Sequence, residues 1–217
     1  MAGTEAIVRA VLDRHGRTYA EEIGFDGSRN EPEELFRLLT ASLLFSARIR
    51  ADIAVRAARA LGEQGWTTAD RLLESSWEQR ARVLNESGYA RYDERTASML
   101  AETSELVRDR WEGDLRRLRD EADRDPAAER RLLKECKGIG DAGVDIYFRE
   151  AQGAWGELYP FVDKRARAGA EALGLPVEPE ALAEASPDGP ANFARLTAAL
   201  VRVDHAGDAD ELREAAV

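Results

Sequence analysis

The sequence predicts an all-α protein of about ten short helices, and three kinds of observation carry that prediction. Apolar residues recur at helical spacing in one segment after another. Residues that start helices and glycines that stop them punctuate those segments. No stretch of six or more residues shows the alternation, rich in Val, Ile and Thr, that a half-buried strand needs. The 217 residues suffice for one large domain or two small ones sharing a core.

Each helix has its own local reason. In NEPEELFRLLTASLLF, Asn30 is the expected N-cap, Pro32 falls in the first turn, and acids sit near the positive helix end. Leu35, Leu38, Leu39 and Leu43 then share a face. ADIAVRAARALG continues or restarts that helix and stops at Gly62. TADRLLES forms a short helix after a turn at Gly65. SWEQRARVLNESG opens with Ser76 and Gln79 as a capping box and closes at Gly88. YDERTASMLAETSELVRDRW places Met99, Leu106 and Val107 together and breaks at Gly113. DPAAERRLLKEC begins with Asp125 as N-cap and Pro126 at the first helical position, and a further helix carries Val144, Tyr147, Phe148 and Ala151. The stretch from Pro176 to Pro190 reads as a linker, and ANFARLTAALVRV as a last helix before a frayed tail.

Composition narrows the function. No apolar run approaches the ~18 residues that cross a bilayer. The acidic beginning of the chain lacks the pattern of a signal peptide, so the cytoplasm is the expected compartment. Cys136 is the sole cysteine, which rules out an intramolecular disulfide and a four-cysteine metal or iron–sulfur site. His15 and His205 lie far apart without ligand spacing, so no metal site is expected. Net charge is −11, at first sight unfavourable for a nucleic-acid partner. The charge is unevenly spread, however. Six acids against one arginine fill Glu21 to Glu34, whereas LFSARIRADIAVRAAR carries Arg48, Arg50, Arg56 and Arg59 against Asp52. All three lysines, Lys134, Lys137 and Lys164, flank either a glycine motif or Asp163. A local basic site on an acidic body can bind anions, because screening is short-ranged; compositional bias is the bland alternative.

The glycine motif lies in KECKGIGDAGVDIYF, with Gly138, Gly140 and Gly143, and Asp163 follows 20 residues after the last of them. On spacing alone this is a dinucleotide-binding fingerprint. That fingerprint needs a strand before it and a parallel sheet around it, and AERRLLKEC has helical spacing instead. The motif therefore reads as a helix, a tight turn and a second helix starting near Asp141. Glycine lets the backbone approach a ligand, and amides at the start of the second helix suit a phosphate oxygen. Lys137 would add a charge-assisted contact. A plain helical hairpin that uses glycine only to turn is the structural alternative.

LLKECKGIGDAGVDIYF followed by YPFVDKRARAG resembles the helix-hairpin-helix DNA glycosylases of the endonuclease III superfamily. LFRLLTASLLFSARIRADIA and LNESGYARYDERTASMLAETSELV resemble that family's upstream blocks, in the same order, so the resemblance covers roughly residues 31–175. It implies two helical subdomains with a cleft between them: residues 31–153, ending in the hairpin, and residues 1–30 with 154–217. It implies double-stranded DNA as the partner of a monomer near the nucleoid. Lys134, Lys137, Gly138, Ile139, Gly140, Gly143, Lys164, Arg165, Arg48 and Tyr89 would make the DNA contacts, with Tyr89 packing into the gap left in the base stack. A monovalent cation at the hairpin is also within the family pattern.

By the same resemblance Asp163 is the essential carboxylate. Breaking an N-glycosidic bond builds oxocarbenium-like charge, which a carboxylate stabilises while it orients or deprotonates water. A simple N-cap is the alternative reading of VDKRARAG. Ala142 stands where bifunctional members carry a nucleophilic lysine, so no Schiff-base lyase step is expected. The iron–sulfur cluster is absent and Arg48 replaces the family's glutamine. The expected activity is therefore a monofunctional glycosylase removing a damaged or mismatched base, with a DNA-binding protein that has lost the chemistry as the alternative. Tyr147, Trp155, Tyr159 and Phe161 line either core or pocket. Cys136 is expected as a buried structural thiol, and Asp145 with Arg149 as a surface pair.

Overall fold

The computed structural model of the chain describes residues 3–186 and 188–216, and among these every regular element is helical. Fourteen α-helices are present among the described residues, more than the sequence suggested. The chain divides into two compact units, one of Met1–Glu22 with Phe148–Val217, the other of Ile23–Tyr147. The divisions thus fall earlier than residues 30 and 153.

The Ile23–Tyr147 unit begins with the helix Pro32–Phe45, whose Leu35, Phe36, Leu39 and Leu44 are almost fully buried. Its N-cap is Glu31, in extended conformation and without a side-chain cap bond, rather than Asn30. The helix packs on Ala51–Glu63, which buries the small Ala54, Ala57 and Ala58. Ser76 and Gln79 form the reciprocal capping box at the start of Trp77–Leu84, satisfying two amides that the helix cannot. That helix lies against Asp93–Trp111, whose Leu100, Val107 and Trp111 are buried. Asp125 caps Pro126–Leu133 by accepting from the amides of Ala127 and Ala128.

The other unit is assembled from both chain ends. Thr4–His15 buries Ile7, Val8 and Val11 and packs on Gly189–Ala206. Lys164–Leu173 packs on the same long helix, closely enough that a Cβ built on Gly169 would stand 2.1 Å from the Leu200 carbonyl oxygen. Two expectations fail here. The supposed linker holds a helix, Pro179–Glu184, with Pro179 at its start and Leu182 buried; Pro187 lies outside the described residues. The tail forms a helix, Ala209–Ala215, anchored by buried Leu212.

Candidate nucleic-acid interface

The glycine motif folds as a helix, a turn and a helix. Pro126–Leu133 runs through Lys134 to Cys136, the chain turns at Gly138, and Asp141–Ala151 follows. Gly138 has φ +87°, a conformation only glycine adopts readily. A Cβ there would also meet Met99 Sδ at 2.9 Å and Leu43 Cγ at 3.3 Å. Gly143 is required for contact rather than conformation, since its Cβ would lie 2.7 Å from Ser46 Oγ. This close approach brings the turn that carries Arg48 to the hairpin. Ile139 is 5% exposed and Gly143 is buried. Both therefore shape the turn, and Ile139 presents no side-chain surface outside it.

Three internal bonds shape the turn. Ile139 N–H donates to the Cys136 carbonyl (3.0 Å), Val144 N–H to the Gly140 carbonyl (3.0 Å) and Thr103 Oγ1 to the Lys137 carbonyl (2.9 Å). The amides of the first helical turn have no carbonyl one turn back and are left for an outside acceptor. Exposed Lys137 stands beside them, its Nζ 3.9 Å from Glu102 Oε2. The acids of the hairpin oppose an anion, however. Lys134 Nζ is 2.7 Å from Asp141, whose carboxyl it holds below the ordinary range, and Arg130 binds Asp145 at 2.7 Å. Arg48 and Lys164 are exposed, whereas Arg165 reaches Asp204 at 3.2 Å.

Tyr89 departs from its expected role. Its ring has no exposed surface and its hydroxyl donates to the Leu44 carbonyl at 2.8 Å. Burial pushes that hydroxyl up to about 12. A side chain that must enter a base stack has to be presented to solvent, and this one belongs to the core. Tyr147 and Trp155 are core as well. Cys136 is 1% exposed and burial pushes its thiol up to about 12.

Asp163 sits at the head of Lys164–Leu173, in the other unit. Its Oδ1 accepts from the amides of Arg165 (2.8 Å) and Ala166 (2.9 Å), and its Oδ2 accepts from Arg149 Nη1. The Asp163 and Arg149 side chains are 5% and 4% exposed. Glu150 Oε1 lies 3.8 Å from Arg149 Nε, and the Glu150 carboxylate also accepts from the amides of Tyr19 and Ala20. Burial alone would lower the Arg149 guanidinium, but Asp163 and Glu150 outweigh it and raise it. Gln152 holds the preceding segment by accepting from Phe161 N–H and donating to the Phe161 carbonyl. Arg149 is thus a buried partner of Asp163 and not a surface partner of Asp145. Glu150 and Gln152 are the residues that sequence reasoning missed, and Arg149 the one it misplaced; their only trace is the largely polar run REAQ, ending an apolar-faced helix.

No family model matches the sequence, and no curated protein matches it. Solved structures do match in three dimensions, among them two endonuclease III–DNA complexes. A trapped covalent endonuclease III–DNA intermediate is 17% identical, covering 94% of this chain and 86% of that one, with TM-score 0.49. A non-covalent endonuclease III–DNA complex is 14% identical over the same shares, with TM-score 0.53. This chain has the endonuclease III fold. At such identity the likeness speaks to backbone architecture alone. Among the described residues no group of three or more His, Cys, Asp or Glu is placed to hold a metal ion.

Proposed function

We propose that this chain binds duplex DNA by seating a backbone phosphate on the Lys137–Gly143 turn, as a recognition protein in which Asp163 serves the fold. The observation that carries the first half is the glycine turn, which delivers the open amides of an 11-residue helix beside an exposed lysine. The second half rests on the engagement of both Asp163 oxygens within a nearly dry ion pair. A carboxylate with that many donors is a poor acceptor for a water proton. Ala142 offers no amine, so Schiff-base strand cleavage is not expected at that position.

Hydrolytic base removal is the second reading, and one observation favours it. Two helix amides fix Asp163 in a defined orientation, as electrostatic stabilisation of an oxocarbenium would require. That reading requires Arg149 to release Oδ2 when DNA is bound.

Fluorescence anisotropy with a labelled duplex, repeated over several salt concentrations, tests binding. Lys137→Glu should weaken it about tenfold or more, and few phosphate contacts should give a shallow slope of log K against log salt, about −2 to −3. Affinity unchanged by Lys137→Glu would remove the hairpin from the interface. Incubation with duplexes carrying alkylated, deaminated, oxidised or mismatched bases, read with and without hot alkali, tests the chemistry. Alkali-dependent breaks that vanish with Asp163→Asn would establish the hydrolytic reading.

A further inference from the structure

We propose that a second anion site, built to take phosphate groups, lies in the unit formed by the chain ends, in the groove over residues 12–22. The groove has a volume of about 710 Å³, within the range of small-molecule sites, and every residue lining it belongs to that unit. Its distinguishing feature is the way three arginines are held. Arg195 Nε donates to the Gly16 carbonyl at 2.6 Å, Arg202 Nη2 to the Arg17 carbonyl at 3.2 Å, and Arg17 Nη2 to the Glu21 carbonyl at 2.8 Å. A backbone carbonyl orients a guanidinium without cancelling its charge. Arg17 and Arg195 make no ion pair among the described residues, so two positive forks are positioned and left open. Arg14 and His15 in the same groove are committed differently, to Asp208 and Glu211.

Arg202 completes the site. It lies 4.1 Å above the Tyr19 ring and pairs with Glu22 at 2.6 Å, while its buried Nε has no hydrogen-bond partner. Of the lining acids, Glu22 pairs with Arg202, while Glu21, turned to accept from the Thr18 amide at 2.8 Å, keeps its charge. Asp13 is the remaining acid of the lining. In a chain of net charge −11, two guanidiniums held by carbonyls, free of a direct ion pair among the described residues, and lining one open groove favour a compact anion. Planar guanidinium forks match phosphate oxygens in pairs, which makes a phosphate group the fitting chemistry. A free phosphorylated metabolite and a nucleic-acid backbone both carry that group.

Isothermal titration of the full chain with inorganic pyrophosphate, and separately with a short DNA duplex, distinguishes these sources. Wild type is compared with the double variant Arg17→Ala/Arg195→Ala and with Lys137→Glu. Both arginines are exposed, and an unchanged thermal unfolding curve checks the fold. We expect pyrophosphate binding that weakens at least tenfold in the double variant and is unaffected by Lys137→Glu. If the groove serves DNA, duplex affinity also falls in the double variant and pyrophosphate competes with the duplex; if it serves a free ligand, duplex affinity stays put. Pyrophosphate and duplex binding that are both indifferent to the double variant would overturn the site. That outcome is separable from failure at the hairpin, which Lys137→Glu reports alone.

Discussion

Replacing Arg149 by methionine should destabilise the protein far more than any replacement at its surface. Arg149 is 3% exposed and lies between two carboxylates, Asp163 and Glu150, themselves 6% and 2% exposed. Methionine fills much of the volume but leaves both acids without their cation. Removing one member of a buried ion pair costs about 3–5 kcal/mol, because the remaining charge stays desolvated. Asp163→Asn should be milder, about 1–2 kcal/mol, since asparagine still caps the helix and Glu150 still faces Arg149. The double variant Arg149→Met/Asp163→Asn should then cost less than the sum of the two, by about 1–3 kcal/mol of coupling.

Urea unfolding followed by helical circular dichroism at neutral pH measures all three. Against a total stability of about 5–15 kcal/mol, the Arg149→Met shift is large enough to move the midpoint well outside error. A loss below about 1 kcal/mol for Arg149→Met would mean that water reaches the pair and that the surface value applies. Strict additivity would mean that the two side chains do not sense each other. Either result would refute the assignment of Asp163 to a dry structural ion pair and return it to the candidate chemistry.

Gly169→Ala places a methyl 2.1 Å from a backbone oxygen, so the two helices must part; a loss of about 1–3 kcal/mol in thermal unfolding is expected, and wild-type stability would show that they slide freely. Cys136, with its thiol pushed up to about 12 by burial, should label with a disulfide reagent only as fast as the protein opens, and rapid labelling at neutral pH would contradict its packing. For Asp208, burial pushes its carboxyl up, but the hydrogen bonds and charges of His15 and Arg14 outweigh this and hold it below its ordinary value. A depressed acid contributes stability that is present above its unfolded value of about 3.9 and lost as pH falls through the lower folded value. Wild type should therefore lose more stability than Asp208→Asn as the pH is taken below about 4, and parallel acid-unfolding curves would sink the idea.

The parts of the fold that were legible in the sequence are those governed by local rules. Ser76 with Gln79 and Asp125 with Pro126 act within one helical turn, so composition and spacing suffice to place them. Proline misled where its position was ambiguous. The stretch from Pro176 to Pro190 reads as a linker, yet Pro179 and Pro190 each stand in the first turn of a helix, where the missing N–H costs nothing. The tail reads as frayed from its terminal position, but the buried side chain of Leu212 anchors a helix there.

The site was harder to read because its decisive contacts are not local. Periodicity assigned Arg149 to Asp145 four residues away, but each found a stronger partner: Arg130 for Asp145 across 15 residues, and Asp163 for Arg149 across 14. The end of Asp141–Ala151 is buried on all sides from Tyr147 onward, so the rule that charged residues mark the solvent face fails there. Glu150 reaches amides 130 residues earlier in the chain, beyond any sequence window. The same competition bears on charge. Two of the five basic side chains expected to meet DNA have a close acid of their own, Lys134 with Asp141 and Arg165 with Asp204, which leaves Lys137, Lys164 and Arg48 as the more open cations of that set. Net charge therefore understates how local anion binding must be in this protein: it depends on those few cations that the acidic body has not already neutralised.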